Sequence, residues 1–117
     1  MAKSDFECIT IKAADGLSEF TLAPALGGMG TSLILPFRNQ ARELLYLPEN
    51  FWTLEDKTWQ GGWPYCFPVC GRLACNTLPL HGFAPYMPWQ VVEVADNQVS
   101  IQLKDTPETL KNYPYSF

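Results

Sequence analysis

Residues 61–83 read GGWPYCFPVCGRLACNTLPLHGF, and this stretch decides how the fold of the whole chain is interpreted. It holds four glycines, three prolines, four aromatic residues and His81, which is the only histidine in the chain. Gly and Pro recur every few residues, a pattern that predicts loops joined to short strands rather than a helix. Binding residues lie disproportionately on such loops when a rigid scaffold carries them.

Alternating apolar and polar residues predict strands before this stretch. Four strands are expected there, at residues 6–11, 19–22, 31–35 and 43–47. Asp15-Gly16 is a turn signal that makes the first two a hairpin, and Pro36 and Pro48 are expected to end the other two. Residues 50–59 have no clear period and are predicted as a loop or a short helical turn.

After the stretch, residues 89–94 and 99–103 alternate on both sides of an Asp96-Asn97 turn and predict a second hairpin. Thr106 is expected to cap a short helical turn, and no helix of about ten residues is expected anywhere. Many short strands separated by Gly and Pro turns are typical of an all-β, antiparallel sandwich or barrel. We expect residues 1–117 to form a single β domain.

The last five residues, Tyr113 to Phe117, are aromatic and apolar and look like the opening of another strand. Ordinary chain ends are polar and loosely held, so this pattern favours an incomplete sequence. The alternative is that Tyr113 and Phe117 cap a hydrophobic edge of the domain.

Composition excludes several classes of protein. The chain has 117 residues, a net charge of −4 and a pI of about 4.8, and it lacks a cluster of Lys and Arg that could follow nucleic-acid phosphates. No apolar run approaches the roughly 20 residues of a membrane helix. The first residues lack the apolar core of a signal peptide, so we expect a cytoplasmic protein with no membrane partner.

The four cysteines, Cys8, Cys66, Cys70 and Cys75, are expected to be free thiols in that compartment. Cys66, Cys70, Cys75 and His81 are close in sequence, with gaps of three, four and five residues. The first gap fits a zinc site loosely, but zinc sites usually use two tight pairs. The spacing therefore predicts no metal site.

His81, Arg72 and Trp63 are the candidate functional residues. Histidine holds or gives a proton near neutral pH, the Arg fork can grip vicinal hydroxyls or a phosphate, and an aromatic ring stacks on a sugar face. Together they would suit a polyhydroxylated ring such as a sugar. The plainer alternatives are a structural histidine, a surface ion pair and an aromatic side chain that plugs the sheet.

The order of several motifs is similar to that of a known family. The motifs are Gly27-Gly28-Met29-Gly30 with Ser32-Leu33, Glu43 to Leu47, Gly61-Gly62-Trp63-Pro64, Phe67-Pro68, Gly71-Arg72, and Leu78-Pro79-Leu80-His81-Gly82-Phe83-Ala84. Together they resemble the N-terminal portion of the aldose 1-epimerase, or galactose mutarotase-like, family, including its hexose-6-phosphate branch. The resemblance covers about residues 20–117.

The resemblance implies a large antiparallel β-sandwich and an isomerase of carbohydrate metabolism that interconverts the α and β anomers of an aldose without a cofactor. One group removes the proton of the anomeric hydroxyl while another protonates the ring oxygen. His81 and Arg72 match positions that line the sugar pocket, and His81 would act near the ring and anomeric oxygens as the catalytic residue. We expect Trp63 and Phe83 to complete the substrate-binding surface.

Two departures from the family pattern limit these expectations. The family's glutamate base and its second histidine lie downstream in a longer chain, so weak or no catalysis is expected from these residues alone. The phosphate-preferring branch usually has Arg after the His-Gly-Phe-Ala motif, where this chain has Pro85. Preference for a sugar phosphate over a free hexose therefore stays open.

Two alternatives to an enzyme remain. The chain would be a non-catalytic carbohydrate-binding β domain that holds a sugar with Trp63, Arg72 and His81. The second alternative is an interaction module, in which the incomplete edge of the sheet pairs with a second chain or with another copy of this chain.

Overall fold

The largest sheet is built from the N-terminal third of the chain. The computed structural model describes residues 6–49, 51–53, 58–75 and 77–117. Its four-stranded antiparallel sheet contains, in spatial order, β1 (Ile9–Lys12), β2 (Glu19–Ala23), β3 (Met29–Phe37) and β4 (Gln40–Glu43). Each strand neighbours the next one along the chain, so short turns are enough to connect them.

Strands β2 and β3 carry the central pairing of this sheet. Thr21 pairs with Ser32 and Leu22 pairs with Gly30, so β3 holds one extra residue, Thr31, at that point. Thr31 is buried, and its hydroxyl donates to the carbonyl oxygen of Thr21 at 3.3 Å. A bulge of this kind bends a strand and increases its twist.

Two smaller hairpins and a short helix complete the described structure. β5 (Trp52–Thr53) pairs with β6 (Thr58–Trp59), and β7 (Gln90–Val94) pairs with β8 (Val99–Gln102), both antiparallel. A 3-10 turn spans Ala84–Tyr86, and helix α1 spans Pro107–Asn112. The elements are mostly antiparallel strands, which confirms the expected all-β, antiparallel class.

The helix begins as the sequence predicted. The Thr106 hydroxyl accepts from the backbone N–H of Thr109, and the Thr109 hydroxyl accepts from the backbone N–H of Thr106. This reciprocal capping box satisfies two donors at the start of the helix. No helix of the described residues is long and apolar enough to cross a membrane.

Several predicted strand bounds are wrong. β1 begins at Ile9 rather than residue 6, β3 continues through Pro36 to Phe37, and β4 lies before the expected 43–47. Pro36 is tolerated because β3 turns back into β4 there, and Pro36 pairs with Ala41 next to the turn.

Two further predictions fail in the parts of the chain that can be compared. The segment 50–59 contains the β5–β6 hairpin instead of a loop or helical turn, although residues 50 and 54–57 lie outside the described residues. Residues 113–117 are not a strand. Tyr113 and Phe117 instead pack their rings against Phe67, which matches the alternative that they cap a hydrophobic edge.

The core lies around the glycine-rich turn Gly27–Gly30, where segments from other parts of the chain pack together. Its buried residues are Ala23, Leu26, Met29 and Phe51, with Phe6, Cys8, Leu47 and Tyr86 packed against them. The Gly27 N–H donates to the Met87 carbonyl at 3.1 Å, and the Trp89 N–H donates to the Pro24 carbonyl at 2.9 Å. The turn therefore binds the segment that follows the His-Gly-Phe motif.

Replacing Gly27 by Ala should destabilise the protein strongly. Its φ is +66°, and an added Cβ would lie 2.3 Å from the carbonyl oxygen of Pro85. Left-handed backbone costs a non-glycine residue about 1–2 kcal/mol, and overpacking adds about 1–3 kcal/mol. Urea unfolding measures the sum.

Gly16 supplies the matched control, because its φ is +68° and an added Cβ would meet nothing within 4 Å. Gly16→Ala should therefore show only the backbone cost. Equal losses of stability in the two variants would contradict the steric role of Gly27.

Candidate functional site

His81 is fixed by two hydrogen bonds to one glycine. Its φ is +64°, a left-handed conformation that is uncommon for a non-glycine residue. The His81 N–H donates to the Gly71 carbonyl at 2.7 Å, and the Gly71 N–H donates to His81 Nδ1 at 2.8 Å. The backbone of Gly71 thus sets both the main chain and the ring of His81.

The next residue, Gly82, holds this turn against the preceding segment. Gly82 forms a parallel bridge with Phe67, and the N–H of Ala84 donates to the Phe67 carbonyl at 3.2 Å. The φ of Gly82 is +79°, and an added Cβ would lie 2.0 Å from the Phe67 carbonyl oxygen. Only glycine fits this position, which explains the Gly in the His-Gly-Phe sequence.

Arg72 directly follows Gly71 and is exposed. Its guanidinium lies close enough to Tyr86 to act on that phenol electrostatically. Because Gly71 is hydrogen-bonded to His81, the backbone brings residues 72 and 81 close together. The backbone of Arg72 therefore lies one residue from the hydrogen bonds that hold His81, and a shared role of the two side chains stays a prediction.

Tyr86 is a site residue that the sequence reasoning missed. Its hydroxyl donates to the Leu80 carbonyl at 3.0 Å, next to His81. Burial raises the pKa of Tyr86; the positive charge of Arg72 opposes this shift, and Cys66 adds to it. The signal was Pro85, which lies in the first positions of the 3-10 turn Ala84–Tyr86 that returns Tyr86 toward Leu80.

Two thiols adjoin His81. The Sγ atoms of Cys66 and Cys70 and a ring nitrogen of His81 all lie within 4.8 Å of one another. Burial raises the pKa of the Cys66 thiol, and the neighbouring Cys70 raises it further. Cys75 has a different environment, in which hydrogen bonds from Thr77 lower the pKa of its thiol.

Trp63 is held by another part of the fold. Its backbone exchanges two hydrogen bonds with Gly30 of β3, at 2.8 and 2.9 Å, and its ring meets that of Phe20 edge-on at 6.2 Å. The side chain is 54% exposed. Within the described residues, no hydrogen bond or ring contact joins Trp63 to His81 or Arg72.

Phe83 lies beneath the site rather than on its surface. It is 8% exposed, stacks on Phe117 at 5.6 Å and meets Phe67 edge-on at 5.8 Å. With Tyr86 it also lines an open cavity of about 350 Å3, to which residues of helix α1 contribute as well. Direct contact between Phe83 and a sugar stays a prediction, since its observed contacts are those of a packing residue.

Some of the carboxylates that could act as a base are already engaged. Glu43 accepts from the Ser32 hydroxyl and from the backbone N–H groups of Leu33 and Leu45, at 2.8 and 2.9 Å for the two amides. Glu108 is paired with Lys111 at 2.6 Å. Glu43 is therefore a structural carboxylate that ties β3 to the end of β4.

The hydrogen bond from Gly71 fixes the tautomer of the neutral His81 ring. Nδ1 accepts, so Nε2 carries the proton and is a donor. A donor of this kind is suited to the oxygens of a polyhydroxylated ligand.

Comparison with known proteins assigns the class. The family model described as aldose 1-epimerase matches residues 8–117, so the chain belongs to the aldose 1-epimerase family. A protein of Escherichia coli (strain K12) named "Putative glucose-6-phosphate 1-epimerase" is 35% identical over 79 residues, which are 64% of this chain. Protein LacX of Lactococcus lactis subsp. lactis is 29% identical over 83 residues, or 59% of this chain.

A solved structure shows a similar fold. The Slr1438 protein from Synechocystis sp. PCC 6803 superposes with a TM-score of 0.76 and 25% sequence identity over 96% of this chain. The matched region is 42% of that chain, and it is 27% and 28% of the two curated relatives. The chain thus spans less than half the length of the relatives it matches.

Tyr86→Phe should remove a pH dependence of stability. The raised pKa means that the unfolded chain loses this phenolic proton first as pH rises past the ordinary value of 10.0. The stabilising contribution is therefore complete below about pH 10 and is lost above it. Urea unfolding between neutral pH and pH 11 should show the wild type losing stability relative to Tyr86→Phe.

At neutral pH the same variant should be less stable by about 1 kcal/mol, because it loses the bond to the Leu80 carbonyl. Tyr115→Phe is the matched control, since Tyr115 is 64% exposed. A parallel pH profile for Tyr86→Phe and the wild type would contradict the assigned environment of Tyr86.

Proposed function

We propose that this chain carries the sugar-binding part of an aldose 1-epimerase, which interconverts the α and β anomers of a hexose or hexose phosphate by acid/base ring opening. The observation that carries the proposal is the hydrogen bond from the Gly71 N–H to Nδ1 of His81, which orients the imidazole in a chain of this family. The name of the relative from Escherichia coli supports a sugar substrate without fixing which sugar this chain would bind.

In this proposal His81 acts on the ring and anomeric oxygens through Nε2. The Gly71 N–H orients the ring and keeps Nε2 as the protonated nitrogen, so a sugar oxygen bound there receives a hydrogen bond. From this position the Nε2–H of the neutral ring would polarise the ring oxygen through a hydrogen bond. The transfer of the anomeric proton to a base and the protonation of the ring oxygen by an acid are the roles that the family resemblance gives to the downstream glutamate and second histidine. Rotation about C1–C2 and closure on the other face then give the second anomer.

Arg72 and Trp63 have binding roles. The exposed guanidinium of Arg72 can grip neighbouring hydroxyls, and the exposed face of Trp63 can stack on the C–H face of the sugar. Phe83 supports the segment from beneath through its stack with Phe117. Pro85 stands where the phosphate-preferring branch usually has Arg, which favours a free hexose as the first ligand to test.

The proposal includes a cytoplasmic setting and association with a second chain. Free cysteines, three of them exposed, fit a reducing compartment. Val91, Val92 and Val94 of β7 are 38%, 57% and 55% exposed, so this hairpin presents apolar side chains that another strand-bearing surface could cover. A copy of the chain or a second polypeptide would supply that surface.

The test is sugar binding and anomer exchange followed by NMR, with glucose, galactose and glucose 6-phosphate. We expect each binding sugar to shift the His81 ring signals, and Arg72→Ala to weaken binding about tenfold or more, the scale of a lost charged hydrogen bond. Arg38→Ala is the matched control, because Arg38 is an exposed arginine on the β3–β4 turn.

His81→Asn separates chemistry from folding. Asn tolerates φ near +64°, and its amide oxygen can accept from the Gly71 N–H, while the Nε2 donor is lost. Exchange above the buffer rate that disappears in this variant supports the epimerase. Binding without exchange supports the non-catalytic carbohydrate-binding domain, and no binding by a folded chain refutes both.

A further inference from the structure

We propose that Cys66, Cys70 and His81 form a binding site for one thiophilic divalent cation of the zinc class. The two thiol sulfurs and a ring nitrogen lie within 4.8 Å of one another, so one ion between them needs only small side-chain movements. Thiolate and imidazole ligands are the set that zinc prefers. The linear spacing of the cysteines concealed this cluster.

The spacing argument treated the four residues as one set. Cys66 and Cys70 alone have the Cys-x3-Cys spacing that falls inside the usual range for zinc ligands. Cys75 breaks the pattern, but its Sγ contacts the Thr77 hydroxyl at 3.3 Å and is outside the cluster. The chain folds back through the Gly71–His81 bonds, and this brings the third ligand from residue 81.

The site would be open rather than closed. Three protein ligands leave the fourth tetrahedral position for water or another oxygen ligand. Both cysteines are exposed and His81 is half-buried, so an ion can enter from solvent. This geometry differs from a four-cysteine structural site, whose ion is enclosed.

Coordination has a definite cost at His81. The Gly71 N–H already donates to Nδ1, so an ion must either displace that N–H from Nδ1 or bind Nε2 after the ring proton has moved from Nε2 to Nδ1, and both routes break this hydrogen bond. We therefore expect reversible binding, weaker than that of a closed site.

Occupancy has a consequence that rests on the proposed function. An ion on His81 would withdraw the imidazole from a sugar oxygen, so zinc should compete with the sugar. The cysteine pair would then make the sugar site sensitive to thiophilic metals. If the metal-free chain binds no sugar at all, the proposed function is refuted, but the metal titration still tests the metal site.

The experiment is titration of the reduced full chain with Co2+, a spectroscopic substitute for Zn2+, followed by displacement with Zn2+. We expect one Co2+ per chain, with thiolate charge-transfer absorption and the visible spectrum of a tetrahedral ion. Cys66→Ser, Cys70→Ser and His81→Asn should each weaken Zn2+ binding by at least about tenfold, a loss that even outer-sphere changes can reach.

Cys75→Ser is the matched control and should bind as the wild type does, because Cys75 is an exposed cysteine outside the cluster. Circular dichroism of each metal-free variant verifies the fold. An equal loss in Cys75→Ser would overturn the site in favour of scattered thiol binding. An unchanged cobalt spectrum in His81→Asn would overturn the role of the imidazole.

Discussion

The close approach of backbones at the Gly27–Gly30 turn is the constraint on which the rest of the structure depends. An added Cβ at Gly27 would strike the Pro85 carbonyl, one at Gly28 would strike Ile101, and one at Gly30 would strike Phe20. Three separate segments therefore pack against this turn, because its glycines have no side chains. They are the N-terminal sheet with Phe20, the β7–β8 hairpin with Ile101, and the segment around Pro85 that follows the His-Gly-Phe motif.

Glycines also allow main-chain segments to approach closely at the candidate site. Gly82 lets the chain cross the carbonyl of Phe67, and Gly71 presents both its N–H and its C=O to His81. The imidazole is thus oriented by main-chain atoms of a short segment, and Phe83, two residues further along, stacks on Phe117. Preorganisation of this kind reduces the entropy that a ligand must overcome on binding.

The two proposals give one imidazole two roles. Toward a sugar it would be a neutral donor through Nε2, and with Cys66 and Cys70 it would be the third ligand of a metal ion. The Gly71 N–H favours the first role because it occupies the Nδ1 lone pair.

The sequence alone determined the fold class, the β1–β2 and β7–β8 hairpins, the Thr106 cap and the membership of the family. Alternation, turn residues and motif order are local signals, so each could be recognised without the tertiary structure. Sequence reasoning misplaced β4 and missed the β5–β6 hairpin, where pairing partners outweigh local pattern. Tertiary structure alone decided that Tyr86 returns to Leu80, that Phe83 is buried and that Cys66, Cys70 and His81 meet. Each of these depends on contacts between residues distant in the chain, or on φ values that only folding imposes.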